Sequence, residues 1–164
     1  RRDTIQTIRV QPMTVSGTLV ALSHFSGLAS MLDGVDTSAK MLFVVPKNST
    51  GTAPTLVLQL SSAGGDTGNI RAGMGGLAIG TGESPEGSLD FDGISNADYR
   101  DTVAADGANV VEYSSAWPGP FSASDRMLAL IVTRLGLTDA ANDTSTATVK
   151  LLACWLEFPV DATN

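Results

Sequence analysis

Residues 119–158 read GPFSASDRMLALIVTRLGLTDAANDTSTATVKLLACWLEF. Two apolar runs, Met127–Val132 and Leu151–Phe158, flank a polar segment that holds Thr138, Thr144, Thr146 and Thr148 together with Asp139, Asn142 and Asp143. Apolar, β-branched runs separated by turn-forming residues predict strand, loop and strand: a β-hairpin over Arg126–Leu135 and Thr146–Phe158 with a generous loop. In the closing run Leu152, Cys154, Leu156 and Phe158 share one face, and Leu151, Ala153, Trp155 and Glu157 the other. Both faces are largely apolar, so this strand is either central in a two-layered core or buried at a subunit contact.

The same pattern recurs upstream. Thr4–Val10 mixes β-branched and polar residues and predicts an edge strand or extended arm, and Thr14–Leu22 a second strand with Gly17 as a bulge. In Ser26–Val35, Leu28, Met31 and Leu32 are spaced i, i+3, i+4, which predicts one short helix or a folded loop. Met41–Val45, ended by Pro46, reads as a buried strand, and Thr55–Ser61 as a half-buried one. Ile70–Ile79 is a glycine-rich strand in which Gly73, Gly75 and Gly76 imply bulges or the close approach of another backbone. Gly80–Tyr99 is a long acidic loop, Thr102–Ala105 and Val110–Ser115 are weak strands, and WPGPF at 117–121 is a rigid turn.

With 17 Gly and 7 Pro in 164 residues, chain reversals are frequent, and 43% apolar residues suffice for one core. Eight or nine short strands without a long amphipathic helix predict an all-β protein: an antiparallel β-sandwich, jelly-roll-like, of about eight strands. Residues 1–35 are expected to be an N-terminal strand or arm and a loop suited to docking. Residues 36–158 would form the sandwich and 159–164 a C-terminal tail, all in one domain.

Ten Lys and Arg against 17 Asp and Glu leave a net charge of −7. No basic stripe is present to displace counterions, so neither nucleic acid nor an anionic membrane is an expected partner. No apolar run approaches the ~20 residues of a membrane-spanning helix, and the opening RRDTIQTIRV lacks the apolar stretch of a signal peptide. Cys154 is the one cysteine, which excludes an intrachain disulfide and a cysteine-based zinc site; within an apolar run it reads as a buried thiol.

Candidate chemistry is sparse. His24 is the one histidine, no G-x-S-x-G nucleophile elbow is present, and nothing brings triad partners to it. Glu83, Glu86, Asp90 and Asp92 form an acidic loop that would need a set carboxylate separation to hydrolyse a glycoside, and DFDG lacks EF-hand spacing. These carboxylates, and the second set at Asp139, Asn142 and Asp143, read as solvated loops. GMGGLAIGTG at 73–82 matches neither phosphate-loop pattern. No catalytic residue, metal or cofactor is therefore expected. Trp117, flanked by Pro118 and Gly119, is either an exposed aromatic anchor or sugar platform, or a lid over one end of the sandwich. The residues expected at a partner interface are Arg1, Arg2, Ile5, Ile8, Trp117 and Trp155.

The second half carries a resemblance. Thr67-Gly68-Asn69-Ile70-Arg71 follows a strand; Asp125 opens the first apolar run and Arg134 stands near its end; Asp143-Thr144 lies in the loop; Phe158 closes the last run. This order resembles a set of tailed-phage structural proteins with a single jelly-roll-like sandwich, which recur as capsid decoration (cement) proteins, head fibres and tail accessory modules. Ser124 stands where that pattern has Gly, and Ala72 where it has an aromatic residue. The resemblance implies a virion structural protein without enzymatic activity, a homotrimer on the outer capsid surface whose partner is the major capsid protein. A tail or head-fibre module is the alternative place. A carbohydrate-binding module, with Trp117, Tyr113 and Tyr99 as its platform, is the alternative function. The shared residues have a physical reading of their own. Asp143-Thr144 can fix the loop through an Asx- or ST-turn, Arg134 can pair with that carboxylate or a neighbour's, and Thr67–Asn69 can make a turn tolerant of left-handed backbone.

Overall fold

The computed structural model describes residues 5–16, 20–21, 26–27, 29–31, 34, 36–61, 68–82, 100–104 and 110–162. Among these every regular element is a strand: β1 (Ile5–Val10), β2 (Thr14–Ser16), β3 (Val20–Ala21), β4 (Ser26–Gly27), β5 (Ala29–Met31), β6 (Asp36–Val44), β7 (Thr55–Ser61), β8 (Asn69–Gly80), β9 (Arg100–Ala104), β10 (Val110–Ala116), β11 (Asp125–Leu135) and β12 (Val149–Asp161).

The strands form two antiparallel sheets. One runs β1-β12-β7-β10, with β5 also on β12; the other runs β2-β6-β11-β8-β9, and β3 and β4 pair separately. From β5 onward the chain changes sheet at each step except between β8 and β9, which is jelly-roll connectivity. The protein is an all-β jelly-roll sandwich.

The apparent hairpin at 126–158 is the principal correction. β11 pairs with β6 and β8, whereas β12 pairs with β1, β5 and β7 in the opposite sheet. The segment between them is an arch across the sandwich, a gap of ~10 Å between sheets, and its length follows from that span. Each run is central in its own sheet, so each is apolar on both faces. On β11, Leu128, Leu130 and Val132 face the core, while Ala129, Ile131 and Thr133 on the opposite face are also buried. For β12, Cys154, Leu156 and Phe158 face the core and Trp155 lies on the outer face.

Other boundaries moved for similar reasons. Ala29–Met31 is not helical: it pairs Ala29↔Leu151, Ser30↔Lys150 and Met31↔Val149, and Met31 is buried. An open edge on a central strand outweighs a local 3.6-residue spacing; Leu28 and Leu32 lie outside the described residues. The strand expected over 14–22 is two strands: β2 lies on β6, and β3 on β4. The expected tail begins inside β12, which continues through Asp161 against β1, while Pro159 O accepts Thr50 N at 3.1 Å. The first residues thus supply sheet edges: β1 on β12 and β2 on β6.

The core between the sheets contains Phe43, Leu58, Leu130, Leu151 and Phe158, all 0% exposed. Burying each such side chain contributes ~1.5–3 kcal/mol. Phe121 tilts against Phe158 with ring centroids 5.9 Å apart and closes one end.

Candidate functional site

Among the described residues, a dense polar cluster lies at the end of the sandwich where β8 begins and β11 ends. Arg134, in phase with Leu128, Leu130 and Val132, is the last core-facing position on β11, and it is 0% exposed. A guanidinium has five N–H donors, and here all have acceptors. Nε donates to Asp143 Oδ2 at 3.0 Å, Nη2 to Asp143 Oδ1 at 2.6 Å and Ser145 O at 2.5 Å, and Nη1 to Ala147 O at 2.6 Å and Met31 O at 3.3 Å. Asp143, whose side chain is also fully enclosed, accepts Arg71 N at 3.0 Å. One ion pair therefore ties β11, the arch, β5 and β8 together.

The arch is locked to β8 by further bonds. Thr144 N and Ser145 N both donate to Asn69 O at 2.9 Å, and Asn69 N donates back to Thr144 Oγ1 at 2.8 Å. Arg71 Nε reaches Asp139 Oδ2 at 2.9 Å, and Asn142 Nδ2 donates to Asp139 Oδ1 at 2.8 Å. Asp36 Oδ1 accepts Leu137 N and Thr138 N, while Oδ2 accepts the Thr138 hydroxyl.

This geometry corrects three expectations. Asp143-Thr144 was expected to turn on its own backbone; instead both side chains reach backbone donors on β8, 72 and 75 residues away in sequence. Asp143 is no solvated acid. Gly68 and Asn69 do not use left-handed backbone either, since among the described residues the positive-φ ones are Gly34, Gly51 and Gly82. Gly68 is demanded by space: a Cβ there would lie 2.2 Å from Thr144 O. Thr67 lies outside the described residues. Sequence reading did not single out Asp36, because nothing local marks an acid that caps a loop a hundred residues later.

The interface candidates are dispersed. Ile5 is 65% exposed on β1, whereas Ile8 faces inward and packs on the core. Arg1 and Arg2 lie outside the described residues, as do His24, Glu83, Glu86, Asp90, Asp92 and Tyr99. Trp117 is 5% exposed and part of the core cluster, with Nε1 donating to Pro120 O at 3.1 Å. It seats on Gly76, where a Cβ would lie 2.6 Å from its ring, and Gly119 crosses Gly76 so closely that its Cβ would meet Gly76 O at 2.3 Å. This is the lid of the two readings, and Gly76 is a close backbone approach as its position in a strand implied. Tyr113 likewise packs against the core.

Trp155 lies outside the core but is covered. The Arg9 guanidinium carbon sits 4.8 Å from the centre of its ring, and Arg9 Nε and Trp155 Nε1 share Glu157 Oε1 at 3.0 and 3.1 Å. Cys154, fully buried, has its thiol pKa pushed well above the ordinary range by desolvation. Among the described residues no cluster of His, Cys, Asp and Glu could hold a metal ion, and no buried side-chain nitrogen or oxygen lacks a partner.

No protein-family model matches the chain, and no curated protein does. Among solved structures the chain is similar to the CBM36-1 domain of a multidomain xylanase from the hindgut metagenome of Trinervitermes trinervoides. The two share 13% identity over 93% of this chain and 96% of that one, with a TM-score of 0.48. The assignment of the sandwich rests on the strand order given above.

Proposed function

We propose that the chain is a non-enzymatic virion structural protein of the decoration type, a rigid module that self-associates as a trimer and docks on the outside of a phage capsid shell. The observation that supports this reading is the convergence of the resemblance's own residues. Gly68, Asn69, Arg71, Arg134, Asp143 and Thr144 come from separate parts of the chain, yet they form one interlocked network. Their charges are engaged with one another inside the fold. The motif is thus accounted for as architecture, which suits a protein whose role is to keep its shape while its surface binds.

Docking would proceed through many modest contacts repeated around a shell, where avidity replaces single-site affinity. Ile5, exposed on the edge strand β1, is placed to meet a neighbour. Sedimentation equilibrium of the purified chain tests self-association, with three copies of 16.9 kDa expected. Immunogold labelling of particles from the encoding phage tests location. A chain that stays monomeric and labels no particle would remove the reading; labels on the tail would keep the module and move its place.

A further inference from the structure

We infer that the cleft between the loop after β6 and the start of β11 is a binding site for an oxyanion, a carboxylate, phosphate or sulfate group carried by a small molecule. The cleft has a volume of about 350 Å³ and is lined by Val45, Lys47, Ala123 and Arg126. That size falls in the range of small-molecule pockets. Among the described residues that line it, both charged ones are cations, in a chain whose net charge is −7.

Neither cation is neutralised within the described residues. Arg126 donates from Nη1 to two backbone carbonyls, Ala123 O at 3.2 Å and Asp125 O at 3.1 Å. Those bonds hold one corner of the guanidinium and leave its Nε/Nη2 edge without a partner among the described residues. That edge offers two parallel N–H groups, the fork that matches the paired oxygens of a carboxylate or phosphate. Lys47, which also lines the cleft, has no hydrogen bond or ion pair among the described residues and adds a point charge. The adjacent carboxylate of Asp125 is engaged elsewhere, accepting Ser122 N at 2.6 Å and closing the turn before β11.

The walls are firmly placed. Val45 N donates to Arg126 O at 2.9 Å, which staples the loop after β6 to β11, and Val45 is buried. Gly51 packs so closely on Ala123 that a Cβ would lie 3.1 Å from the Ala123 Cβ. The two cations are therefore presented by a braced frame, and the site is independent of the clasp around Arg134 and of the capsid reading.

The test is titration of the intact protein with sodium sulfate, sodium phosphate and sodium glucuronate, each at constant ionic strength balanced with chloride. The readout is the Nε–Hε cross-peak of Arg126 by NMR, with heats measured in parallel. Saturable one-site binding by at least one probe is expected. Arg126→Gln and Lys47→Gln should each weaken it by about tenfold, the loss of one charge-assisted contact, while Lys150→Gln, outside the cleft, leaves it unchanged. The order of the three probes then separates a carboxylate-bearing ligand from a phosphate or sulfate ester. Cross-peak shifts in the parent that do not saturate or that chloride reproduces, or binding heats that persist in the Lys47→Gln/Arg126→Gln double variant, would overturn the site. Both residues are exposed, so thermal melts of the variants should match the parent.

Discussion

Arg134 and Asp143, nine residues apart in sequence, meet at 2.6 Å with both side chains closed off from solvent. Such a pair is ordinarily weak evidence for stability, because desolvation offsets attraction. Here the setting differs: the guanidinium also serves the carbonyls of Met31, Ala147 and Ser145, and the carboxylate serves Arg71 N.

Arg134→Ala should therefore destabilise the fold by about 3–5 kcal/mol, since it leaves an uncompensated buried carboxylate. The sharper variant is Arg134→Met with Asp143→Leu. If the ion pair alone mattered, the apolar double variant would recover most of the loss. It should not, because three carbonyls and one N–H lose their partners, at about 1–3 kcal/mol for each group that stays buried. Urea denaturation of the singles and the double decides this; full recovery in the double would show that the carbonyls are indifferent to Arg134.

Gly68 makes a second prediction. A Cβ at 2.2 Å from Thr144 O would force the arch away from β8 and break the bonds between Asn69, Thr144 and Ser145. Gly68→Ala should cost about 3 kcal/mol, roughly 1 kcal/mol for each of these bonds. Thr144→Val should cost about 1 kcal/mol, and Thr144→Ser, which keeps the acceptor, less. Equal stability of Gly68→Ala and the parent would mean that the interlock is not tight in solution.

How far the sequence was legible follows from which interactions are local. Strand positions could be read, because alternation and glycine placement report burial residue by residue; Thr55–Ser61 was read with its observed bounds. Sheet membership could not. A strand-loop-strand stretch looks the same whether its strands pair with each other or arch across a core, and only β6, β7 and β8, distant in sequence, decide it. The clasp was half legible. Arg134 with Asp143 is a short-range pair that the pattern suggested, but the reach of Asp143 and Thr144 to β8 depends on where the arch lands. The indoles were the least legible, since what covers each is distant in sequence: Gly76 lies under Trp117 and Arg9 over Trp155.

The buried thiol gives a probe of opening. Burial raises the Cys154 thiol pKa well above the ordinary 9.0, so little thiolate exists in the folded protein. An alkylating reagent should label Cys154 slowly in the native state and quickly in denaturant. The folded pKa is the raised one, so its stabilising contribution is fully present below pH 9.0 and declines above it, as the unfolded thiol ionises first. Native-state labelling as fast as labelling in denaturant at the same pH would show that the thiol is accessible.

Gly76→Ala places a methyl 2.6 Å from the Trp117 ring. Overpacking of this kind costs about 1–3 kcal/mol, and it should shift the Trp117 fluorescence as the ring lifts off β8. Trp117→Phe in the same background should relieve much of the cost, because the smaller ring vacates the space above residue 76. No relief would place the strain in the Gly119 crossing instead.

The two isoleucines of β1 look equivalent in sequence and should behave differently. Ile8 pairs with Phe158 and packs on the core, whereas Ile5, opposite Asp161, is 65% exposed. Ile8→Ser removes partly buried apolar surface and should destabilise the monomer by about 1–2 kcal/mol. Ile5→Ser should leave stability within about 0.5 kcal/mol, and under the proposed function it should weaken self-association or shell occupancy. Paired measurements of urea midpoint and sedimentation equilibrium separate these effects. An Ile5→Ser variant with unchanged stability and unchanged association would remove Ile5 from the docking surface, while an Ile8→Ser variant as stable as the parent would mean that β1 is not seated on β12 as described.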